Sequence, residues 1–332
     1  MSRDIAYLFP GQGTRYQGAA LDFLAAGSTS AATLFSQASE IFGQSMEAIL
    51  RDGDEATLKR TDIAQPALTL CSLVASAFLA EQGRQPKACA GFSLGEYSAL
   101  ACAGVVGVED CFRLTKARGI AMQEATDRLR DAAGGNASAV PGMTAVLGIP
   151  PLQAESMIEQ WRAEGLEDLY AANINSPTQL VMSGTAAALK EAESRFTAAG
   201  AKVMRLRVAG PFHSPLMAAA ADAFKPVLDS VEFRNPKIPL YSNVTGKRVE
   251  SGEEAKRLAF LQITSPVRWV DEQAEMCADG GFDACLEVGP GKVLRGLWMD
   301  SGSGIPCLTA GTVEEVNSLD NNLEKTPATK PD

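Results

Sequence analysis

The sequence predicts an α/β protein: a large domain built on a parallel sheet, interrupted by a smaller unit of ferredoxin-like order. Three observations carry this reading. Short apolar runs closed by Gly or Pro alternate with Ala- and Leu-rich helical stretches. A Gly-x-Ser-x-Gly stands between one such run and one such stretch. Residues 143–208 follow a β-α-β-β-α-β rhythm of their own. The chain has 332 residues, more than the ~250–300 at which a single core stops growing, so two units are expected.

The first strand is Ile5 to Phe9, ended by Pro10-Gly11. Helices follow at Ser30 to Ile41 and at Pro66 to Glu81, the second apolar enough to be buried on all sides. Lys87 to Phe92 reads as a buried strand, and Leu94 to Ala103 as a helix. Val108 to Ala125 is a helix opened by Glu109-Asp110, charges that suit a helix N-terminus. Small residues over 131–142 mark a crossing between domains. The inserted unit then runs strand Met143–Ile149, helix Pro151–Glu164, strand Leu169–Asn175, strand Gln179–Ser183, helix Ala186–Ala199 and strand Lys202–Val208. The chain returns with helix Met217–Leu228, strand Leu240–Asn243, helix Val270–Asp279 and strand Ala284–Val288. The expected division is 1–137 and 209–316 for the large domain and 138–208 for the insert, with 317–332 a polar, disordered tail.

Composition excludes several functions. Hydrophobic residues are 46% and charged residues 21%, ordinary for a globular enzyme. A net charge of −10 argues against nucleic acid as a partner, because phosphate binding needs a basic surface. The longest apolar run, Ala67 to Ala80, has 14 residues, short of the ~20 of a membrane span, and Arg3-Asp4 with Pro10-Gly11 does not read as a signal peptide. Seven cysteines without a Cys-x-x-Cys pair read as reduced thiols of a cytoplasmic protein, not disulfides or a zinc site. With one histidine, a His-rich metal site is not expected.

Gly91-Phe92-Ser93-Leu94-Gly95 between strand and helix reads as a nucleophile elbow, which makes the large domain α/β-hydrolase-like. The sharp turn pushes the Ser93 hydroxyl out of the sheet and aims the Leu94 N–H, at the helix N-terminus, toward an oxyanion. A serine nucleophile needs a base, and the single histidine, His213, lies in the loop Gly210–Pro215. No acidic third member stands out: Asp271 and Asp283 are candidates, and a main-chain carbonyl serves equally well. Gly11-Gln12-Gly13 after the first strand is either a plain turn or a second oxyanion donor, since it lacks the rest of a phosphate loop.

Six segments stand in order along the chain: Phe9–Gly13, Gly91–Leu100, Arg118-Gly119, Pro211–Ser214, Ser242–Val244 and Glu287–Gly291. Together they resemble the malonyl-coenzyme A:acyl carrier protein transacylases over about residues 5–312, and the related acyltransferase domains of polyketide synthases share them. The resemblance implies Ser93 as the acylated nucleophile, His213 as its base, and the N–H groups of Gln12 and Leu94 as the oxyanion hole. It implies that the main-chain carbonyl of Gln262 orients the imidazole and that Gln65 lines the site. Arg118, read alone, is a solvated helix charge; the resemblance makes it the fork that clamps the malonyl carboxylate. Phe212 would crowd an α-methyl branch.

One departure stands out: Phe92 occupies the place of the family's usual histidine and removes a hydrogen-bonding group beside the nucleophile. The implied partners are malonyl-coenzyme A, as substrate rather than cofactor, and acyl carrier protein; a cytoplasmic monomer serving fatty acid synthesis is expected. Arg205, Arg207 and Lys247-Arg248 are candidates for a basic carrier-protein patch. A freestanding acyltransferase of a polyketide synthase or a malonate decarboxylase fits the same residues. A serine hydrolase or thioesterase fits the elbow but leaves Arg118 unexplained, and a non-catalytic scaffold leaves Ser93 and His213 unexplained.

Overall fold

The computed structural model describes residues 3–13, 16–134 and 136–325. A four-stranded parallel sheet runs in the order Cys307–Thr309, Ala284–Glu287, Ile5–Phe9, Ala88–Gly91. Its central strand Ile5–Phe9 is apolar throughout because both faces are covered, and Ala284–Glu287 beside it is apolar up to the buried Glu287. Ile5, Tyr7 and Phe9 point into one core, with Leu70, Val74 and Phe112. Ala6 and Leu8 point into the other, with Trp269 and Trp298.

The insert has its own core and its own antiparallel sheet, ordered Leu169–Ser176, Gln179–Gly184, Gly142–Leu147, Lys202–Arg205. Helices Pro151–Ala163 and Ala186–Ala198 connect its strands. The strand expected to reach Val208 stops at Arg205, and the chain then turns toward the loop that carries His213.

Three further expectations are corrected. The helix expected from Pro66 starts at Thr61 and runs to Glu81, with Pro66 inside it. An interior proline costs about 3 kcal/mol; here it sits among residues buried on every side, and that packing outweighs it. Over an 18-residue window this helix reaches a mean hydropathy of 1.7, long and apolar enough to span a membrane, but 72% of the window is buried inside the protein. The expected strand Leu240–Asn243 contributes only a bridge, Leu240 to Cys89, to the sheet edge; Tyr241-Ser242 pairs instead with Lys247-Arg248.

The third concerns the tail. Leu319–Lys325 forms a helix, with Leu319 and Leu323 buried one turn apart and Asp320 paired to Arg84 at 2.8 Å. Two leucines at i, i+4 suffice to dock a segment that is otherwise polar. Residues 326–332, the rest of the expected disordered tail, lie outside the described residues.

Candidate active site

Strands Ile5–Phe9 and Ala88–Gly91 end side by side, Phe9 opposite Gly91, and the elbow forms where the second of them ends. The Phe92 N–H donates to the Phe9 carbonyl at 2.9 Å. A Cβ on Gly91 would stand 2.1 Å from the Gly95 carbonyl, and one on Gly95 would stand 2.0 Å from Phe9 O, so neither position admits a side chain. A Cβ on Gly11 would lie 2.6 Å from Phe92 O, which packs the Gly11-Gln12 turn against the elbow. Ser93 is held in left-handed backbone at φ 52°. The N–H groups of Gly95, Glu96 and Tyr97 bond to the carbonyls of Phe92, Ser93 and Leu94. The Ser93 N–H is taken by Asn243 Oδ1 at 2.6 Å. That leaves the Leu94 N–H as the donor of the turn available to an anion.

His213 also has left-handed backbone, φ 56°, and is 4% exposed. The insert steadies its loop: the Ser183 hydroxyl, on strand Gln179–Gly184, donates to the Phe212 carbonyl. His213 Nε2 lies 2.7 Å from Ser93 Oγ, and Nδ1 lies 3.0 Å from the Gln262 carbonyl. The carbonyl can only accept, so Nδ1 carries the proton and Nε2 is free to accept from the serine. Burial and then the Arg118 charge pull the imidazole down to about 4, so it is neutral at pH 7.

Arg118 is 1% exposed, the reverse of a solvated helix charge. Nη2 donates to Gln262 Oε1 at 3.1 Å, the guanidinium lies 5.4 Å from the Tyr97 ring centre, and Nε has no protein partner. Burial pushes its pKa down, countered by Tyr97 and Glu96. A buried cation with a free donor costs several kcal/mol unless a counter-charge meets it, so Nε is open to an anionic acceptor. Gln262 ties the parts together: its amide Nε2 donates to Glu96 Oε2 at 2.7 Å and to Ser93 O at 2.9 Å.

Behind the elbow lies a buried polar cluster. Asn243 Nδ2 donates to Gly91 O at 2.7 Å and to Glu272 Oε1 at 2.6 Å, and its N–H donates to Glu96 Oε2 at 3.1 Å. Burial raises Glu96 to about 7, moderated by these hydrogen bonds and by Arg118. Burial and the Glu96 charge hold Glu272 well above the usual carboxylate range.

The structure thus gathers Ser93, Leu94, His213, Arg118 and Gln262, with Phe212 buried beside His213 and the Gln12 turn against the elbow. Gln65 is buried between helices Thr61–Glu81 and Val108–Ala132, donating to Met122 Sδ at 3.3 Å, with Oε1 unpartnered. Phe92 packs edge-on against Trp269, ring centres 5.6 Å apart, so its ring serves an apolar contact. Asp271 pairs with Arg268, and Asp283 accepts from the Asp4 N–H; His213 Nδ1 meets the Gln262 carbonyl instead.

Of the basic candidates, Arg205, Lys247 and Arg248 are paired with Glu193, Glu275 and Asp279. Sequence reasoning missed Glu96, Asn243 and Glu272. Glu96 and Asn243 lay inside quoted motifs, which was the available signal; Glu272 had none.

The family described as acyl transferase domain matches residues 6–302. The malonyl CoA-acyl carrier protein transacylase of Bacillus subtilis strain 168 is 36% identical over 294 residues, 88% of this chain and 89% of that protein. That of Escherichia coli K12 is 35% identical over 321 residues, 96% of this chain and 98% of that one. Among solved structures, the Clostridium perfringens transacylase superposes with a TM-score of 0.88 at 29% identity, covering 97% of this chain and 98% of that one. A malonyl-transacylase solved with its type II polyketide acyl-carrier protein superposes at 0.86 and 31% identity, covering 96% and 99%.

Proposed function

The chain belongs to the acyl transferase family, and we propose that it moves malonyl groups from malonyl-coenzyme A to the phosphopantetheine thiol of acyl carrier protein through a malonyl ester on Ser93. It is an acyltransferase of the malonyl CoA-acyl carrier protein transacylase type, supplying fatty acid synthesis. The observation that carries the route is Ser93 Oγ at 2.7 Å from a neutral, carbonyl-oriented His213.

In this reading His213 Nε2 takes the Ser93 proton as Oγ attacks the thioester carbonyl. The Leu94 and Gln12 N–H groups hold the tetrahedral oxyanion. The C–S bond breaks and the imidazolium returns the proton to the departing thiolate. In the second half His213 takes the proton of the carrier thiol, the sulfur attacks the malonyl ester, and Ser93 Oγ leaves with the proton. Arg118 faces the malonyl carboxylate in both halves, supported by its burial and its free Nε. Phe212, buried beside the base, crowds an α-branch, and Gln65, with Oε1 unpartnered, lines the acyl side.

Coenzyme A enters as part of a substrate, so the route needs no bound cofactor. We read the protein as a monomer, because one chain carries every group named, and as cytoplasmic, a placement its substrates fit. We read the large unit, 1–137 with 209–316, as α/β-hydrolase-like, supported by its parallel sheet and elbow. We read 138–208 as ferredoxin-like, supported by its strand order.

The test is an acyl-transfer assay with malonyl-, methylmalonyl- and acetyl-coenzyme A against fatty-acid and polyketide carrier proteins. Intact mass of wild type and Ser93→Ala is read alongside. Malonyl preference, transfer to the fatty-acid carrier, and an adduct on wild type alone are expected. Hydrolysis outrunning transfer, or an adduct on Ser93→Ala, overturns the reading.

A further inference from the structure

We propose that Asn243 is a positioning residue for the nucleophile turn: one buried amide holds the backbone on both sides of Phe92-Ser93 and keeps the Ser93 N–H from competing for the substrate oxyanion. The inference rests on the reading of Ser93 as the nucleophile. Asn243 is fully buried, 150 residues along the chain from Ser93. Its Oδ1 accepts the Ser93 N–H at 2.6 Å, and its Nδ2 donates to the Gly91 carbonyl at 2.7 Å. The second Nδ2 proton goes to Glu272 Oε1 at 2.6 Å, and the Asn243 N–H goes to Glu96 Oε2 at 3.1 Å.

The amide orientation is therefore determined, with acceptors around its nitrogen and a donor at its oxygen. A non-glycine residue at φ 52° persists only where its surroundings hold it there. Here the grip on Gly91 O and Ser93 N spans the strained turn. With the Ser93 N–H engaged, the oxyanion is left to Leu94 and the Gln12 turn, and Ser93 Oγ is held toward His213.

The chemistry of the cluster admits an amide and resists a second charge. Facing Asn243 or its partners are Glu96 from helix Gly95–Cys102, Glu272 from helix Trp269–Asp279, Arg118 from helix Val108–Ala132 through Gln262, and His213 through Ser93 and Gln262. A carboxylic acid in place of the amide can accept from Ser93 and, while protonated, donate to Gly91 O or Glu272. Once ionised it turns a negative oxygen toward that carbonyl and toward the Glu272 carboxyl, with the Glu96 carboxyl on the neighbouring main-chain N–H.

The experiment measures single-turnover acylation by malonyl-coenzyme A, by rapid quench and intact mass, for wild type, Asn243→Ala and Asn243→Asp. The pH runs from about 5.5 to about 8.5, spanning the ordinary range for a perturbed buried carboxyl. Circular dichroism at each pH reports folding. Asn243→Ala is expected to acylate ~10- to 100-fold more slowly with KM little changed, the scale of a misplaced reacting group. Asn243→Asp should approach wild type at the acid end and fall at least ~10-fold behind it at the alkaline end while still folded.

Asn243→Ala acylating at the wild-type rate, or an Asn243→Asp to wild-type ratio that stays constant with pH, overturns the inference. If Asn243→Ala does not fold, the Asn243→Asp ratio alone decides. Absence of a Ser93 adduct on wild type instead overturns the nucleophile reading on which the inference rests.

Discussion

Gln262 Oε1 accepts a hydrogen bond from Arg118 Nη2 at 3.1 Å, so the residue whose main chain orients the base also holds the cation of the acyl pocket. Its backbone carbonyl serves His213 whatever the side chain is. Gln262→Ala should therefore leave the base oriented and release Arg118. Malonyl kcat/KM should fall ~10- to 100-fold, the value of one or two buried hydrogen bonds to a charge, and acetyl kcat/KM should fall less. Parallel kinetics with the two donors check this; equal losses would mean the side chain acts mainly through its bond to the Ser93 carbonyl.

Arg118→Ala removes the buried fork itself. A lost charge-assisted bidentate contact costs about 2–4 kcal/mol, roughly 30- to 1,000-fold in malonyl transfer. Acetyl-coenzyme A offers no carboxylate and should lose nothing. Arg118→Lys should restore only part, because a point charge does not reproduce the planar fork. The ratio of kcat/KM for the two donors is the measurement, and a uniform loss would make Arg118 structural.

His213 acts as a base only when neutral, and burial with the Arg118 charge lowers its pKa to about 4. The acidic limb of kcat/KM should lie near that value, well below the ordinary histidine range, with activity sustained at pH 5. Removing the Arg118 cation removes one of the two lowering causes. With acetyl-coenzyme A as donor, Arg118→Ala should move the limb to higher pH. An unmoved limb would assign it to another group.

Glu96 and Glu272 have raised pKa values, so the folded protein holds protons that the unfolded chain releases as pH rises past the ordinary carboxylate range. Their contribution to stability must then decline as pH rises above the ordinary carboxylate range, for Glu96 until about 7 and for Glu272 until its own raised pKa is passed. His213 acts in the opposite sense, its folded pKa being depressed, but only on the acid side of neutrality. Below about pH 6.5 the two effects oppose each other, and above it the His213 contribution no longer changes. Glu272→Gln, neutral at every pH, should therefore show a Tm that falls less with rising pH than that of the wild type, which thermal unfolding at a series of pH values checks. An identical slope in the variant would mean that Glu272 is ionised in the folded protein.

The elbow could be read in the sequence because its cause is local. Gly91 and Gly95 flank Ser93 within one turn, and each is required by a contact with neighbouring backbone. Strand Ile5–Phe9 was found to the residue because its apolar run ends at a Pro-Gly break. The helix Leu319–Lys325 was missed because two leucines in a polar segment show a docking stripe only once the surface that receives them is known. Helix Thr61–Glu81 was cut short because a proline reads as a start when the packing around it is unseen.

The residue types, the order of strands and helices within the insert, the sharp turn at Ser93 and the single histidine can be read along the chain; helices Gly252–Leu261 and Val293–Asp300 and strand Cys307–Thr309 cannot. Only the tertiary structure decided that Arg118 is buried with a free donor, that Gln262 joins it to His213, and that Asn243 and Glu272 stand behind the nucleophile. The physical reason is separation along the chain. The bonds of Gln262 to Arg118 and of Asn243 to Ser93 cross 144 and 150 residues, where no periodicity or propensity reaches. Such pairs exist because the packed sheet and helices bring their backbones together, and the polar groups caught between must then satisfy one another.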